Sequence, residues 1–347
     1  MPDKNRLLSD SLHWEHWLAL AGLLLLCSLC AGQTKFSERL PNTLLNVSPP
    51  TARVTGKPGD MVYIMRSCPS IPLKDVRRRI VNTTIQEWAY FGYSVLDLVP
   101  TRESNPEPKR QPWRRTLIAS DEALRVASSI AGYWAATPDS AWILEQQNQS
   151  WARYGSGSRW RQPWSAAFIS WVMCESGIGE TEVFHRAIAH HSYIDQAITA
   201  TDQQDSQAAY RAFEPGEQQI LPGDMLCRGY RPAYKTLVAR RQQMDSGART
   251  HCDIVIKLDP HNERIMLIGG NVRSWVRLKL LPAAINDRGY LTPEPYNGRT
   301  IFAHLQLQAG DADNDMLHQS PTFQSLNCAK LPVALRLIQP TLFEDCS

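Results

Sequence analysis

Apolar residues recur along this chain in two rhythms. The first half keeps a helical spacing: Val76, Ile80, Ile85, Trp88 and Ala89 fall on one face of a helix predicted between Lys74 and Tyr93. A second helix is predicted from Ser120, whose hydroxyl can cap the turn carrying Asp121 and Glu122, to about Ala136. Asp139 and Ser140 open a third, which runs to about Trp151 and ends at the Gly/Ser run 155–158. Residues 164–176 form a fourth, stopped by Gly177, and residues 181–200 a fifth. Beyond residue 220 the rhythm shortens to that of strands, at 225–227, 251–258, 264–270, 275–280 and 300–307. Helices first and strands afterwards predict an α+β domain, with N-terminal helices packed on a small antiparallel sheet.

The ends of the chain read differently. Lys4 and Arg6 precede an apolar run from Trp17 to Cys30, followed by Ala31, Gly32 and Gln33. Some 14 residues suit the core of a signal peptide and fall short of the roughly 20 that a membrane span requires. Residues 1–32 are therefore expected to be a signal peptide or an inner- or outer-membrane anchor, and the protein to be exported to, or held facing, the periplasm. Residues 33–72, rich in Pro, Thr, Ser and Asn, read as a linker with one short strand at 61–64. The stretch 99–115, broken by four prolines, reads as a loop, and 311–347 as a C-terminal tail. Composition adds little. With 43% hydrophobic and 20% charged residues and a formal charge of +3, the chain resembles ordinary globular proteins and offers no basis for nucleic-acid binding. Outside the leader stand Cys68, Cys174, Cys227, Cys252, Cys328 and Cys346, an even number that permits disulfides in an exported protein. No zinc-ligand spacing joins them to the histidines, so neither a metal nor another cofactor is expected.

The candidate chemistry starts at Ser165, in the first turn of the fourth helix, with Phe168, Ile169, Val172 and Met173 following at helical spacings. Unpaired N–H groups and partial positive charge at a helix start favour a developing anion. A serine there still needs a neighbouring base to become a nucleophile, and serine also favours such positions for capping alone. His251 is the candidate base. A hairpin turning at residue 261 sets His251 opposite Asn271, with Cβ atoms roughly 5 Å apart, so that Asn271 could orient the imidazole. Asp253, on the same strand face as His251, is the rival orienter. Trp160 and Trp164 flank the expected cleft, and His190 and Tyr193 are placed to line it.

The segment 163–172, Pro-Trp-Ser-Ala-Ala-Phe-Ile-Ser-Trp-Val, resembles the stretch that opens the catalytic helix of CHAP-type and NlpC-type peptidoglycan amidases, where cysteine stands at the position of Ser165. Leu-Pro-Gly-Asp at 221–224, His-Cys-Asp at 251–253 and Gly-Gly-Asn-Val at 269–272 resemble their first core strand, histidine strand and third-residue strand, in the same order. Together with Ala189-His190 before Tyr193-Ile194, these blocks resemble the bacterial family named domain of unknown function 2272, over about residues 75–310. The resemblance implies a papain-like, NlpC-like core at 73–310. It also implies an exported amidohydrolase or peptidase-like protein acting on peptidoglycan or peptide, with Ser165, His251, and Asn271 or Asp253 as its working residues. The other reading is an inactive scaffold of the same fold that binds peptidoglycan or a protein.

Overall fold

The computed structural model describes residues 38–99, 118–230, 234–326, 335 and 338, all within the unit Phe36–Ser347. The expected leader, the proline-broken loop from residue 100 onward, and Cys328 and Cys346 lie outside the described residues.

Most of the helices expected from the sequence are present, and among the described residues three short ones join them that carry no readable period. Helix α1 (Asn42–Leu45) is short, and α2 (Val76–Tyr90) buries Val76, Ile80, Ile85 and Trp88 as expected. The single helix expected from Ser120 is two, α3 (Ser120–Arg125) and α4 (Ala127–Ala135). Helix α5 spans Ala141–Tyr154 and α6 Ser165–Glu175. Helix α6 is buried on every side, its apolar residues from Ala166 to Cys174 each no more than 1% exposed. Such an all-apolar helix is stable only inside a core.

The helix expected from residue 181 starts only at His190, as α7 (His190–Asp202). Tertiary contacts replace the first helical turns. The Gln196 side chain accepts from the His185 N–H at 2.7 Å and donates to the Glu182 carbonyl at 2.8 Å, while Phe184 packs against the ring of Tyr193. Two short helices complete the set, α8 (Leu237–Arg241) and α9 (Pro321–Gln324).

A small hairpin pairs β1 (Val54–Thr55) with β2 (Val62–Tyr63). The main sheet has eight strands rather than the few expected: β3 (Val95–Asp97), β4 (Tyr210–Phe213), β5 (Met225–Gly229), β6 (Thr250–Asp259), β7 (Arg264–Val272), β8 (Trp275–Ile285), β9 (Leu291–Pro293) and β10 (Ile301–Leu307). Their order is β3-β8-β7-β6-β5-β10-β4, with β9 beside β8. All pairs are antiparallel except β3 with β8, which makes the sheet mixed. Strand β3 escaped the sequence reading because a three-residue strand carries too little alternation to register as a period.

The sheet has two faces with different cover. Cys252, Ile254 and Ile256 of β6 share a core with Trp164, Phe168 and Val172 on the helix side. Val255 joins Leu226, Leu267 and Leu281 in a second core on the other face. The turn Pro222-Gly223-Asp224 ties the layers together. One Asp224 oxygen accepts from Arg77 on α2 at 3.1 Å and from the Leu307 N–H at 3.0 Å, and the other pairs with His304 at 2.8 Å.

Residues 38–72, read as a linker, are held firmly to this body. Arg53 is buried in an ion pair with Glu175 of α6 at 2.7 Å, and Cys68 is disulfide-bonded to Cys174. The second disulfide, Cys227–Cys252, bridges β5 and β6 at directly opposite positions. Met316, Leu317 and Phe323 of the C-terminal stretch join the helix-side core.

Candidate active site

The site grows from an interruption in the sheet. Near their turn β6 and β7 pair as Leu258 with Ile265, one residue away from the expected register. A bulge between Val255 and Lys257 restores the expected alignment, and the ladder then ends at Ile254 opposite Ile268. Beyond that point the β6 backbone needs other partners, because a buried N–H left without an acceptor is costly. The Cys252 N–H donates to Nδ1 of His190 at 3.3 Å.

The same imidazole reaches Ser165. His190 Nε2 lies 2.6 Å from Ser165 Oγ, and its Nδ1 also meets the Tyr193 hydroxyl one helical turn along α7. Ser165 and His190 are the first residues of α6 and α7, so two helix N-termini meet at one hydrogen bond. Both ends are electropositive, which disfavours an imidazolium and favours an oxyanion. Burial holds the His190 pKa well below the ordinary histidine value, and the neighbouring His251 pushes in the same direction. A backbone N–H can only donate, so the Cys252 contact makes Nδ1 an acceptor and leaves the proton of neutral His190 on Nε2, facing Ser165.

His251, the base expected from the sequence, sits next in the chain of contacts. Its ring is 5.2 Å from that of His190, and its hydrogen bond goes to Asp253 Oδ1 at 2.9 Å rather than to Ser165. Strand alternation accounts for this: Cys252 faces the helix-side core, so His251 and Asp253 face the other side. Of the two proposed orienters, Asp253 is the one bonded to His251. Asn271, the last residue but one of β7, is in a left-handed conformation (φ 55°) and makes no hydrogen bond to the imidazole.

Lys279 of β8 completes the cluster, donating to the other Asp253 oxygen at 2.6 Å. Burial, together with the Lys279 ammonium, depresses the His251 pKa to about 4 despite the Asp253 carboxylate. Burial also brings Lys279 down to about 8, against the pull of Asp253. For Asp253 burial acts upward, but His251 and Lys279 outweigh it and keep the carboxyl far below its usual range. Lys279 was invisible in the sequence, since a lysine among alternating apolar residues reads as an outward-facing strand position.

The two glycines before Asn271 have steric causes. A Cβ on Gly269 would stand 1.9 Å from Asp253 Oδ1, and one on Gly270 would stand 2.5 Å from the Cβ of Phe168 on α6. Of the expected substrate-binding residues, His190 meets Ser165 directly and Tyr193 meets the far side of the His190 ring, as described. Trp164 is only 2% exposed, with its ring 5.8 Å from both Phe91 and Tyr133, and is part of the core rather than a stacking platform. Trp160 is half-buried against Trp151, their rings 5.2 Å apart. No group of three or more His, Cys, Asp or Glu among the described residues is arranged to hold a metal.

These features define an α+β protein with a buried serine–histidine pair at two helix starts and a His–Asp–Lys cluster beside it. Residues 121–297, 177 of the 347, match the family described as an uncharacterized protein conserved in bacteria (DUF2272), and the chain belongs to that family. Comparisons with curated proteins and with solved structures give no match.

Proposed function

We propose that the protein is a hydrolase of amide bonds, with Ser165 as nucleophile and His190 as its base. The observation that carries this reading is the 2.6 Å contact between Ser165 Oγ and His190 Nε2 at the start of α6. A nucleophile and base within hydrogen-bond reach, with a third group on the far side of the imidazole, is the arrangement that activates a serine. In the reactive tautomer Nδ1–H is donated to the Tyr193 oxygen, and Nε2 accepts the Ser165 proton as Oγ attacks the carbonyl. The tetrahedral oxyanion lies against the N–H groups opening α6, Nε2–H protonates the departing amine, and a water deprotonated by Nε2 then releases the acyl group from Oγ as the acid. His251 is reassigned from base to neighbour: neutral, bonded to Asp253 and in ring contact with His190.

The papain-like scaffold, the export signal and a peptidoglycan stem-peptide substrate belong to this proposal through the motif resemblance. A fluorophosphonate probe tests it directly. Labelling at Ser165 that vanishes in Ser165→Ala and His190→Ala, with cleavage of muropeptides that follows the same pattern, is the expected result. A folded protein that neither labels nor cleaves sinks the catalytic reading.

One observation favours a second reading, a binding scaffold without catalysis. The Cys252 N–H stabilises the tautomer in which His190 donates to Ser165 instead of accepting from it. Retention on insoluble cell wall, unchanged in a Ser165→Ala/His190→Ala double variant that also lacks labelling, identifies that case.

A further inference from the structure

The sheet face that carries His251 holds more positive charge than it neutralises. Arg228 of β5 stands directly opposite His251 in the β5–β6 ladder, so the two side chains share a face. Arg228 is 8% exposed, its Nε is buried without a partner, and no carboxylate lies within ion-pairing distance of it among the described residues. Lys279 is on the same face and 3% exposed, and half-buried Arg299 is tied by backbone hydrogen bonds of 3.0 and 2.8 Å to Tyr296, which packs in the core on this face. Asp253 does not serve Arg228: one of its oxygens is bonded to His251 and the other to Lys279, and it makes no ion pair with the guanidinium. Three cations on this side of the sheet thus accompany one carboxylate, Asp253, that is already engaged by His251 and Lys279.

Burying an arginine with neither a counter-ion nor a full set of hydrogen bonds is unfavourable, and a fold retains such a group most readily when a ligand supplies the missing anion. The guanidinium fork matches a carboxylate in a planar, two-point contact. The Arg228 guanidinium lies 5.2 Å from the ring of Tyr230, which is 51% exposed, so the group stands at the solvent-facing end of its strand. The neighbouring Tyr296 phenol stays protonated, burial raising its pKa, and so remains a donor. The Cys227–Cys252 disulfide joins the residues immediately before Arg228 and after His251, fixing the spacing of the two strands here.

We propose that Arg228 and Arg299, beside His251, form a binding site for a carboxylate group. Added to the hydrolase reading, this makes the substrate class an amide that carries a free carboxylate; the site itself does not depend on Ser165 being reactive. The ion is taken up between Arg228 and Arg299, with Lys279 left on Asp253. Discrimination comes from charge and from the second acceptor oxygen, which an isosteric amide replaces with a donor, so the amide is refused.

Ligand-observed saturation-transfer NMR on the full chain, at constant ionic strength, tests this with glutarate and its uncharged counterpart glutaramide. The expected result is saturation transfer to glutarate alone, with affinity at least tenfold weaker in Arg228→Gln and also reduced in Arg299→Gln. The Arg299 position is half-buried, so that variant reports even if Arg228→Gln fails to fold. Equal response to the acid and the amide, or unchanged glutarate binding in both folded variants, overturns the site. Glutarate binding without fluorophosphonate labelling removes only the hydrolase reading, whereas labelling without preference for glutarate removes only this one.

Discussion

Ser165 and His190, 25 residues apart in sequence, each begin a helix and meet through Oγ and Nε2 at 2.6 Å. The contact concentrates two helix N-termini on one hydroxyl, and burial keeps the imidazole neutral. His190→Ala is therefore expected to slow fluorophosphonate labelling of Ser165 by about 10²–10⁴-fold, the range for loss of a positioned base. His251→Ala, one ring further away, is expected to slow it much less. Labelling rates in the two variants, with folding checked by circular dichroism, decide between the two histidines.

The pH dependence follows from the depressed histidines. In the folded protein His251 takes up a proton only near pH 4, against about 6.5 in the unfolded chain. Between those values the unfolded state holds more protons, so stability is highest above pH 6.5 and falls as the pH drops toward 4. The loss is on the order of 3 kcal/mol for a shift of this size, and buried His190 adds loss of the same sign. Urea midpoints at pH 7 and pH 4.5 should differ less in His251→Gln than in the native protein; an equal difference contradicts the assignment.

Gly269 bears on the same cluster. Gly269→Ala drives a methyl group into the Asp253 carboxylate, which is bonded to both His251 and Lys279. Disturbing a buried charge network of this kind costs about 3–5 kcal/mol when one partner is lost. Thermal unfolding should show that loss. Gly289, exposed and with no atom within 4 Å, has a left-handed φ of 78° and makes a poor control, whereas Gly247→Ala in open space should be nearly neutral.

Trp164 separates packing from binding. Its ring is enclosed by Phe91 and Tyr133, so Trp164→Ala should cost about 3–5 kcal/mol of stability. Any substrate effect should follow the fraction of folded protein. A fully folded Trp164→Ala protein with weakened substrate binding alone would falsify its placement in the core.

The Cys68–Cys174 disulfide clips the segment before α2 to the end of α6, across a separation of 106 residues. A loop of that length is worth about 4–5 kcal/mol in the chain-entropy account. Cys68→Ser should lower the denaturation midpoint accordingly, with Arg53–Glu175 still holding the segment in place.

Much of this molecule is dictated locally. The helical spacing of α2, α5 and α6, the hairpin of β6 and β7, and Ser165 at a helix start are all set by residues within a few turns of one another, so the amino-acid order alone specified them. Sequence reading also placed His251 beside Asp253, because strand alternation puts residues two apart on one face. Tertiary structure decided the rest. A bulge near Ile256 and the early end of the β6–β7 ladder freed the Cys252 N–H, and His190 took it up from a separate helix. That helix begins nine residues later than its pattern suggests, since Gln196 and Phe184 fold the preceding turn back onto it. Which histidine touches Ser165 thus depends on contacts between distant segments. The clustering of Lys279 and Arg228 about His251 has the same origin, since it arises from the order of strands in the sheet and not from proximity along the chain.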